Sequence, residues 1–255
     1  MKLVKIFAVW IKIFLAMVQF FTRIPIKSNI ILEKQDFGKG LIFAPLVGGV
    51  IGLFLLVLYN ILITFMPLQM TAVFLIIGYM LITGGLHLDG LGDTFDGMFS
   101  NRPKEQILEI MRDSRVGTNA VLGIFSILLM NYATICSIKS DTIGVAILLM
   151  PVAGRIGSLV GAGLHTYARS GEGLGKTFID FCGIKEIVIG FILGTVVFYL
   201  LAGPKGVGIA FLMLFSAIFV SKFFARKIGG TTGDVLGAVC EINQTMFLVA
   251  FFLVF

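Results

Sequence analysis

Charge is scarce in this sequence. Asp, Glu, Lys and Arg make up 13% of its 255 residues, whereas 58% are hydrophobic. A typical soluble domain carries about 25% charged residues, so a soluble globular protein is excluded. The net charge of +6 does not indicate a nucleic-acid partner, because the basic residues separate apolar segments instead of forming a cluster. Such spacing is typical of a membrane protein, in which it sets the orientation.

Cysteine is also scarce. The chain has three, Cys136, Cys182 and Cys240, and no two of them have the spacing of a metal-binding pair. This argues against a disulfide framework and against a zinc site. The sequence likewise lacks internal repeats, low-complexity segments and a polar stretch that could form a second soluble domain. We therefore expect a single integral membrane domain over residues 1–255, in which the cysteines fill apolar space.

A stretch of 47 residues, from Gly40 to Leu86, contains no charged residue and no histidine. One helix of that length would span about 70 Å, whereas the core of a bilayer is about 30 Å thick. The stretch therefore predicts two crossings, with the turn placed by Pro67 at Met66–Gln69. Five more apolar segments predict five further crossings: Thr118–Ile138, Thr142–His165, Ile187–Ala202, Val207–Phe224 and Val235–Phe255. The predicted fold is an all-α, polytopic membrane helix bundle of about seven transmembrane helices.

The distribution of Lys and Arg predicts the orientation of this bundle. Fourteen of them lie in four segments: 23–39, 87–117, 166–186 and 222–234. The three turns between these segments hold only Lys139 and Lys205, and the turns at "KSD" (139–141) and "GPK" (203–205) are predicted to be tight hairpins. Seven crossings put all four basic segments on one side, which the positive-inside rule makes cytoplasmic. We therefore expect a multi-pass protein of the cytoplasmic (inner) membrane.

The first apolar segment, residues 1–22, does not fit this pattern as an eighth crossing. Spanning would place Lys2 and Lys5 on the non-cytoplasmic side. On a helical wheel the polar residues fall within about 100° of one another: Lys2, Lys5, Lys12, Gln19 and Arg23. A narrow basic stripe on an apolar helix predicts an interfacial amphipathic helix on the anionic leaflet. A tilted span with snorkelling lysines is the alternative.

The stretch "GGLHLDGLGDTFDG", residues 84–97, places three aspartates directly after the long uncharged run. If it is helical, the spacing of Asp89, Asp93 and Asp96 puts them on one face. Like charges this close favour protonation unless a cation lies between them, and hard oxygen ligands suit Mg²⁺. The stretch therefore predicts a magnesium site, with an ordinary Asp/Gly-rich turn as the alternative. His87 falls on the opposite side, as a structural residue or as a base.

Four arginines are candidate ligands for phosphate, because the guanidinium group matches phosphate oxygens. Arg112 and Arg115 precede a crossing in "IMRDSRVGTN", and Arg169 lies in "YARSGEGLGKTF". Arg155 stands alone in the otherwise uncharged segment 142–168. An intramembrane arginine needs a partner and indicates a functional role. A structural ion pair with one of the aspartates is the alternative.

The last crossing adds two acids, Asp234 and Glu241, which are seven residues apart and share a face. We expect one cytoplasmic-side cavity, centred on a catalytic loop at 87–117, to collect these acids, the aspartates and the arginines. The predicted metal ligands are Asp89, Asp93, Asp96 and Asp234. The candidates for acid–base catalysis are Asp96, His87 and Glu241, and a carboxylate is the expected base because a metal-lined site already holds several within reach. Metal-bound carboxylates beside arginines are typical of phosphoryl transfer.

Several stretches resemble the cobalamin synthase family, the adenosylcobinamide-GDP ribazoletransferases. The most specific is the aspartate stretch followed by "LEIMRDSRVGT" at 108–118. Four shorter pieces resemble the family in its order: "FFTRIPI" at 20–26, "APLVGGVIG" at 44–52, "YARSGEGLG" at 167–175 and "GGTTGDVLGA" at 229–238. The resemblance therefore covers nearly the whole chain. The sequence departs from the family where Asn243 and Gln244 replace an acid.

The resemblance implies a membrane enzyme that requires Mg²⁺. It would join adenosylcobinamide-GDP to α-ribazole or its 5′-phosphate, release GMP and yield adenosylcobalamin or its phosphate. The motif acids correspond to Asp89, Asp93 and Asp96, with His87 beside them, and the "DSR" piece to residues 113–115. The expected partners are these substrates and the lipid bilayer, with no nucleic acid, and the oligomeric state is left open.

An ion-coupled transporter is the alternative function, because transporters also use intramembrane carboxylates. The position of the aspartates favours the enzyme. They lie at the end of an apolar segment amid glycines, and the arginines are close in sequence.

Overall fold

A computed structural model describes residues 2–26, 30 and 32–255 of the chain, with side chains from Phe7 onward. The described residues form helices and connecting turns, with no strand. The helices are α1 (Lys2–Phe21), α2 (Lys34–Lys39), a 3₁₀ helix (Gly40–Phe43), α3 (Ala44–Leu62), α4 (Leu68–Thr83), α5 (Leu86–Met98), α6 (Lys104–Ile110), α7 (Thr118–Ser137), α8 (Ile143–Gly163), α9 (Leu174–Phe181), α10 (Ile184–Ile228) and α11 (Gly233–Val254). The expectation of an all-α membrane bundle is confirmed.

Five helical segments of the described chain are long and apolar enough to cross a membrane, and α4 with α5 makes a sixth if that bent pair is one span. The predicted turn in the long uncharged run is confirmed, since α3 ends at Leu62 and α4 begins after Pro67.

The longest helix, α10, folds back on itself. Gly203 has a φ of 60° inside it, and the rings of Phe191 and Phe211 pack with centroids 5.2 Å apart. A straight helix would separate these two residues by about 30 Å. The two arms of α10 therefore form the tight hairpin predicted at "GPK". If its two arms are counted separately, α10 contributes two crossings, and the bundle as a whole then has up to seven. The total of seven stays a prediction.

The centre of the bundle is α8. Its residues 149–162 are all buried, as expected for a helix that is apolar on every side. It packs on α3, α10 and α11. On α3, a Cβ atom at Gly52 would lie 2.1 Å from the carbonyl oxygen of Leu148. Small residues thus bring α3 and α8 into backbone contact, a common form of packing in membranes.

The N-terminal helix α1 packs through one face only. Ile13 and Met17 are buried, whereas Trp10 and Lys12 are exposed. The side chains of Lys2 and Lys5 lie outside the described part of the chain. The placement of α1 in the membrane plane stays a prediction.

The two isolated lysines of the predicted outer turns meet the end of α11. Lys139 donates a hydrogen bond to the carbonyl oxygen of Phe255. Lys205 donates to that of Val254 over 3.2 Å and lies over the ring of Phe255. Cations at a helix C-terminus are stabilising, so both lysines have a structural role besides any effect on orientation.

Single cysteines in a background without native cysteine test the predicted orientation. We expect Arg115→Cys and Lys205→Cys, both exposed, to react with an impermeant maleimide from opposite sides of the membrane. Lys2→Cys should react from the same side as Arg115→Cys if α1 lies on the cytoplasmic face. Labelling of positions 2 and 205 from one side would refute this arrangement.

Candidate active site

A sharp bend places the aspartate stretch. Gly84 and Gly85 have φ values of 64° and 71°, which residues other than glycine rarely adopt. The two glycines end α4 and start α5 at an angle of 93°. The backbone N–H of Arg23 donates to the carbonyl oxygen of Ile82 over 2.7 Å and so ties the end of α1 to this bend.

The segment 87–117, expected to be a loop, is largely helical because α5 and α6 lie within it. Asp89, Asp93 and Asp96 all lie on α5, so the face-sharing arrangement predicted from their spacing is confirmed. Within the part of the chain that the structure describes, the side chains of Asp89 and Asp93 form no hydrogen bond or ion pair. Two neighbouring carboxylates are thus left without a counter-charge of their own.

Asp96 has a different environment from the other two aspartates. Its carboxylate accepts hydrogen bonds from the backbone N–H groups of Gly117, over 2.6 Å, and Ala120, over 2.9 Å. These groups belong to the first turn of α7, where backbone donors lack helical partners and a negative charge is stabilising. Asp96 therefore joins α5 to the start of α7. No pattern in the sequence indicates this contact, because it depends on how the two helices pack.

The crossing of α5 and α11 brings a fourth aspartate to this place. A Cβ atom at Gly90 would lie 2.8 Å from the carbonyl oxygen of Asp234, and one at Gly237 would lie 3.0 Å from that of His87. The two helices thus touch through their backbones. Asp234, in the first turn of α11, is held next to the aspartates of α5, and this contact explains the glycine at position 90 of the motif.

Asp234 forms the ion pair of the site. A guanidinium nitrogen of Arg169 lies 2.7 Å from its carboxylate, and the Arg169 side chain is only 11% exposed. Two glycine-rich segments position this arginine: the N–H of Ala168 donates to the carbonyl oxygen of Thr231, and the N–H of Thr231 donates to that of Thr166, both over 2.8 Å. We call Asp89, Asp93, Asp234 and Arg169 the acidic site.

A cleft of about 310 Å³ adjoins the acidic site through Arg169, and its polar lining also includes Arg112, Ser170, Glu105 and Glu109. Arg112 donates a hydrogen bond to the carbonyl oxygen of Ser170 over 3.3 Å. The structure therefore brings two of the four predicted phosphate ligands together beside the acids. We call this space the arginine cleft.

Arg115 is not brought into this group. Its side chain is 88% exposed and pairs with Asp113, whose carboxylate accepts from Nε over 2.9 Å. This hydrogen bonding lowers the pKa of Asp113 to about 2. The guanidinium of Arg115 thus faces solvent next to the loop that precedes α7.

Arg155 lies apart from the acidic site, in the middle of the bundle and fully buried. It donates to the hydroxyl of Tyr79 and to the amide oxygen of Gln244, both over 3.2 Å. The Tyr79 hydroxyl donates to Glu241 over 2.6 Å, and Gln244 donates to Glu241 over 3.0 Å. We call Tyr79, Arg155, Glu241 and Gln244 the buried polar cluster.

The single cavity expected for all the acids and arginines is therefore divided. Glu241 and Arg155 belong to the buried polar cluster and not to the acidic site. The partner that an intramembrane arginine needs is provided by Tyr79 and Gln244, and not by an aspartate. Neither partner could be recognised from the sequence, because Tyr79 stands in an uncharged run and Gln244 was notable only as a departure from the family.

His87 connects the two regions. Its ring stacks on Phe21 with centroids 5.7 Å apart, and its Nδ1 is buried without a hydrogen-bond partner among the described residues. The ligand atoms of His87, Cys240 and Glu241 lie within 4.8 Å of one another. Glu241 already accepts two hydrogen bonds there beside the Arg155 cation, so a second cation is disfavoured at this position.

The acidic site fits a hard divalent cation better. Asp89 and Asp93 are partly accessible carboxylates without partners, and Asp234 faces them with a single arginine. Oxygen donors of this type, with room for water and phosphate, are the usual environment of Mg²⁺. The chemistry of these donors therefore suits the predicted metal, with Asp89, Asp93 and Asp234 as candidate ligands, and Mg²⁺ binding at this place stays a prediction.

A second cavity, of about 230 Å³, adjoins the acidic site through Asp89 and Asp234. His87, Asp89 and Asp234 form its polar wall, and the rest is mainly aromatic and aliphatic: Phe20, Phe21, Leu41, Leu86, Leu174, Phe178 and Leu236. We call it the aromatic pocket. The acidic site thus adjoins two cavities, the arginine cleft and the aromatic pocket.

Fold and site together define a polytopic membrane protein with an acidic site next to an arginine-lined cleft. The profile of the cobalamin-5-phosphate synthase family matches residues 13–252, and the chain belongs to this family.

Three relatives are named adenosylcobinamide-GDP ribazoletransferase. Those of Acetivibrio thermocellus and Clostridium acetobutylicum are 55% and 52% identical, over 96% and 93% of this chain and 98% and 94% of their own. That of Alkaliphilus metalliredigens is 41% identical over 94% of this chain and 95% of its own. No solved structure shows significant similarity to the chain. The resemblance seen in the sequence is confirmed.

Proposed function

We infer that the chain is a membrane-bound adenosylcobinamide-GDP ribazoletransferase. It would join adenosylcobinamide-GDP to α-ribazole, or to its 5′-phosphate, with release of GMP. The relatives of the same name support this function, and the observation that carries it in the structure is the acidic site beside the arginine cleft. The alternative of an ion-coupled transporter has no support from the relatives.

Membranes that contain the chain test this function directly. On addition of α-ribazole and Mg²⁺, they should release GMP from adenosylcobinamide-GDP, and membranes without the chain should not. Removal of Mg²⁺ by a chelator should stop the release, and added Mg²⁺ should restore it. Transport of either substrate without GMP release would refute the assignment.

We propose that Mg²⁺ binds at Asp89, Asp93 and Asp234, where it would neutralise charge on the pyrophosphate of the GDP-activated substrate. Asp96 remains a candidate ligand, although its oxygens already hold the first turn of α7. The chain's own contribution is to fix the carboxylates on two crossing helices, so that the metal ion would meet a rigid set of ligands.

Arg169 is the proposed phosphate ligand with the strongest structural support. It lies between Asp234 and the arginine cleft, so one guanidinium edge can stay on the carboxylate while the other binds phosphate. Arg112 would add a second contact from the cleft. Arg115 could reach only a substrate that approaches from solvent, and the position of Arg155 favours support of the buried polar cluster.

In the proposed reaction, a hydroxyl of ribazole attacks the phosphorus next to cobinamide, and the bond to the GMP phosphate breaks. The proton of the hydroxyl needs an acceptor. Glu241 is enclosed in the buried polar cluster and Asp96 accepts two backbone hydrogen bonds, whereas His87 lines the aromatic pocket beside Asp89. The geometry therefore supports His87 over the two carboxylates as the base.

The variants Arg169→Lys and Arg115→Lys test which arginine binds the phosphates of the substrate. Lysine keeps the charge but loses the planar two-point contact. We expect Arg169→Lys to raise the KM for adenosylcobinamide-GDP about tenfold or more, because one charge-assisted hydrogen bond to phosphate is lost. The KM for α-ribazole should stay nearly unchanged. Arg115→Lys, exposed and paired locally, should change either constant much less. Equal effects of Arg169→Lys on both substrates would indicate a role in folding instead.

A further inference from the structure

The aromatic pocket contains a stack of rings that the reaction at phosphorus does not require. Phe178 stacks on Phe21 with centroids 5.8 Å apart and an interplanar angle of 20°, and Phe21 stacks in the same way on His87 with an angle of 21°. Phe37 supports Phe178 from behind, at 5.0 Å. Three elements, α1, α5 and α9, thus contribute nearly parallel rings to one side of the acidic site.

We propose that the aromatic pocket binds the benzimidazole base of α-ribazole. This inference rests on the proposed function and assigns one substrate to one wall of the site. The base would lie against the phenylalanine rings, and its ribose would extend towards the polar wall of His87, Asp89 and Asp234. The ribose hydroxyls would then lie next to the phosphates held at the acidic site.

The size of the pocket distinguishes among the ring systems of the two substrates. Its volume of about 230 Å³ is below the ~300 Å³ at which sites for drug-sized ligands begin. A two-ring base fits such a space, whereas the corrin macrocycle of the other substrate does not. The corrin must therefore lie elsewhere, and two bicyclic bases, benzimidazole and guanine, remain.

The chemistry of the lining separates these two bases. Guanine has amide, amine and ring-nitrogen groups along its edges, and each would need a partner once buried. Away from the polar wall the pocket offers phenylalanine and leucine side chains, together with Ser158, whose hydroxyl already donates to the carbonyl oxygen of Leu236 over 3.2 Å. The dimethylbenzimidazole base has two methyl groups and no exocyclic polar group, so it matches this apolar lining and guanine does not.

The position of the pocket also agrees with the place of the proposed phosphate ligands. The arginine cleft shares no lining residue with the aromatic pocket. Arg112 and Arg169 in the cleft suit the phosphates, and the polar lining, which includes Glu105 and Glu109, suits the nucleotide better than the apolar pocket does. The two substrates would thus approach the acidic site from different cavities. That separation allows both to be bound at once, as transfer in a single displacement requires.

Phe178→Leu tests the proposal, with Phe198→Leu as the matched control. Both phenylalanines are buried, but Phe198 packs on Phe247 in the bundle, outside the pocket. We expect Phe178→Leu to raise the KM for α-ribazole about tenfold, the scale on which an apolar pocket discriminates small changes in fit, and to leave the KM for adenosylcobinamide-GDP within about twofold. Phe198→Leu should change neither KM selectively.

A second measurement uses the ligand and does not depend on the stability of that variant. Leu174→Phe should partly fill the pocket. The unsubstituted benzimidazole riboside lacks the two methyl groups of α-ribazole. The ratio of its kcat/KM to that of α-ribazole should therefore be about tenfold higher for this variant than for the unchanged chain. An unchanged ratio would overturn the proposal, because a base that binds elsewhere would not contact the added ring.

The remaining outcomes also decide the question. A raised KM for adenosylcobinamide-GDP alone would place guanine in the pocket, and equal changes in both constants would make Phe178 a structural residue; either result overturns the proposal. Absence of GMP release from the unchanged chain would instead refute the proposed function. GMP release with unaltered constants in Phe178→Leu would refute only the assignment of the base.

Discussion

Asp93→Asn should lower the rate of GMP release by about 10²–10⁴-fold, the effect of losing several kcal/mol of charge stabilisation in the transition state. Asparagine keeps the size of the side chain and removes its charge. Asp93 lies on α5 between Asp89 and Asp96 and has no partner of its own in the described structure. The measurement is the initial rate at saturating substrates over a range of Mg²⁺ concentrations, and the concentration needed for half-maximal rate should rise.

The stability of this variant separates a functional role from a structural one. Removal of one charge from a group of like charges relieves repulsion, so the thermal midpoint of the purified Asp93→Asn protein should stay the same or increase. Asp141→Asn, an exposed aspartate in the turn before α8, serves as the control and should leave rate and stability unchanged. A near-normal rate for Asp93→Asn at limiting Mg²⁺ would refute the metal assignment.

Gly90→Ala is expected to have the second largest effect. The added methyl group would lie 2.8 Å from the carbonyl oxygen and 2.9 Å from the Cα of Asp234, so α5 and α11 would have to separate. A displacement on the order of 1 Å at a catalytic constellation can reduce the rate about 10²-fold. Overpacking of this kind also costs about 1–3 kcal/mol in stability. Rate and thermal midpoint should therefore fall together.

Gly49→Ala provides a helical glycine for comparison. An added Cβ at this position meets no atom within 4 Å, and alanine is the better helix former. This variant should retain full activity and a thermal midpoint at least as high as that of the unchanged chain. Retention of full activity by Gly90→Ala would show that the close crossing of α5 and α11 does not set the geometry of the acidic site.

The sequence contained the local information about this fold. Pro67 predicted the turn between α3 and α4, the "GPK" hairpin predicted the reversal in α10, and the spacing of the aspartates predicted their common helix face. Each of these features depends on residues close together in the chain. Backbone preferences and hydrophobic periodicity act over such distances, so a single sequence is sufficient to predict them.

The contacts between distant elements could not be predicted in this way. The hydrogen bond from Tyr79 to Glu241 joins residues 162 positions apart, and no periodicity indicates it. From the sequence, Arg115 and Arg169 were equivalent candidates, although Arg115 is exposed and pairs with its neighbour Asp113, whereas Arg169 pairs with Asp234. Which arginine reaches the acidic site depends on the pairing of the loops at 166–168 and 231, and this pairing exists only in the folded chain.

The buried polar cluster has a consequence for the biogenesis of the protein. A translocon inserts helices in the order of synthesis, and an arginine near the middle of a helix costs about 2.5–3.5 kcal/mol on insertion. When α8 enters the bilayer, Tyr79 of α4 is already present to receive Arg155. Gln244 and Glu241 arrive only with α11, which is made after α8 and α10. Arg155 therefore lacks these two residues of the buried polar cluster until α11 is inserted, and α8 can take its final central place only after that step.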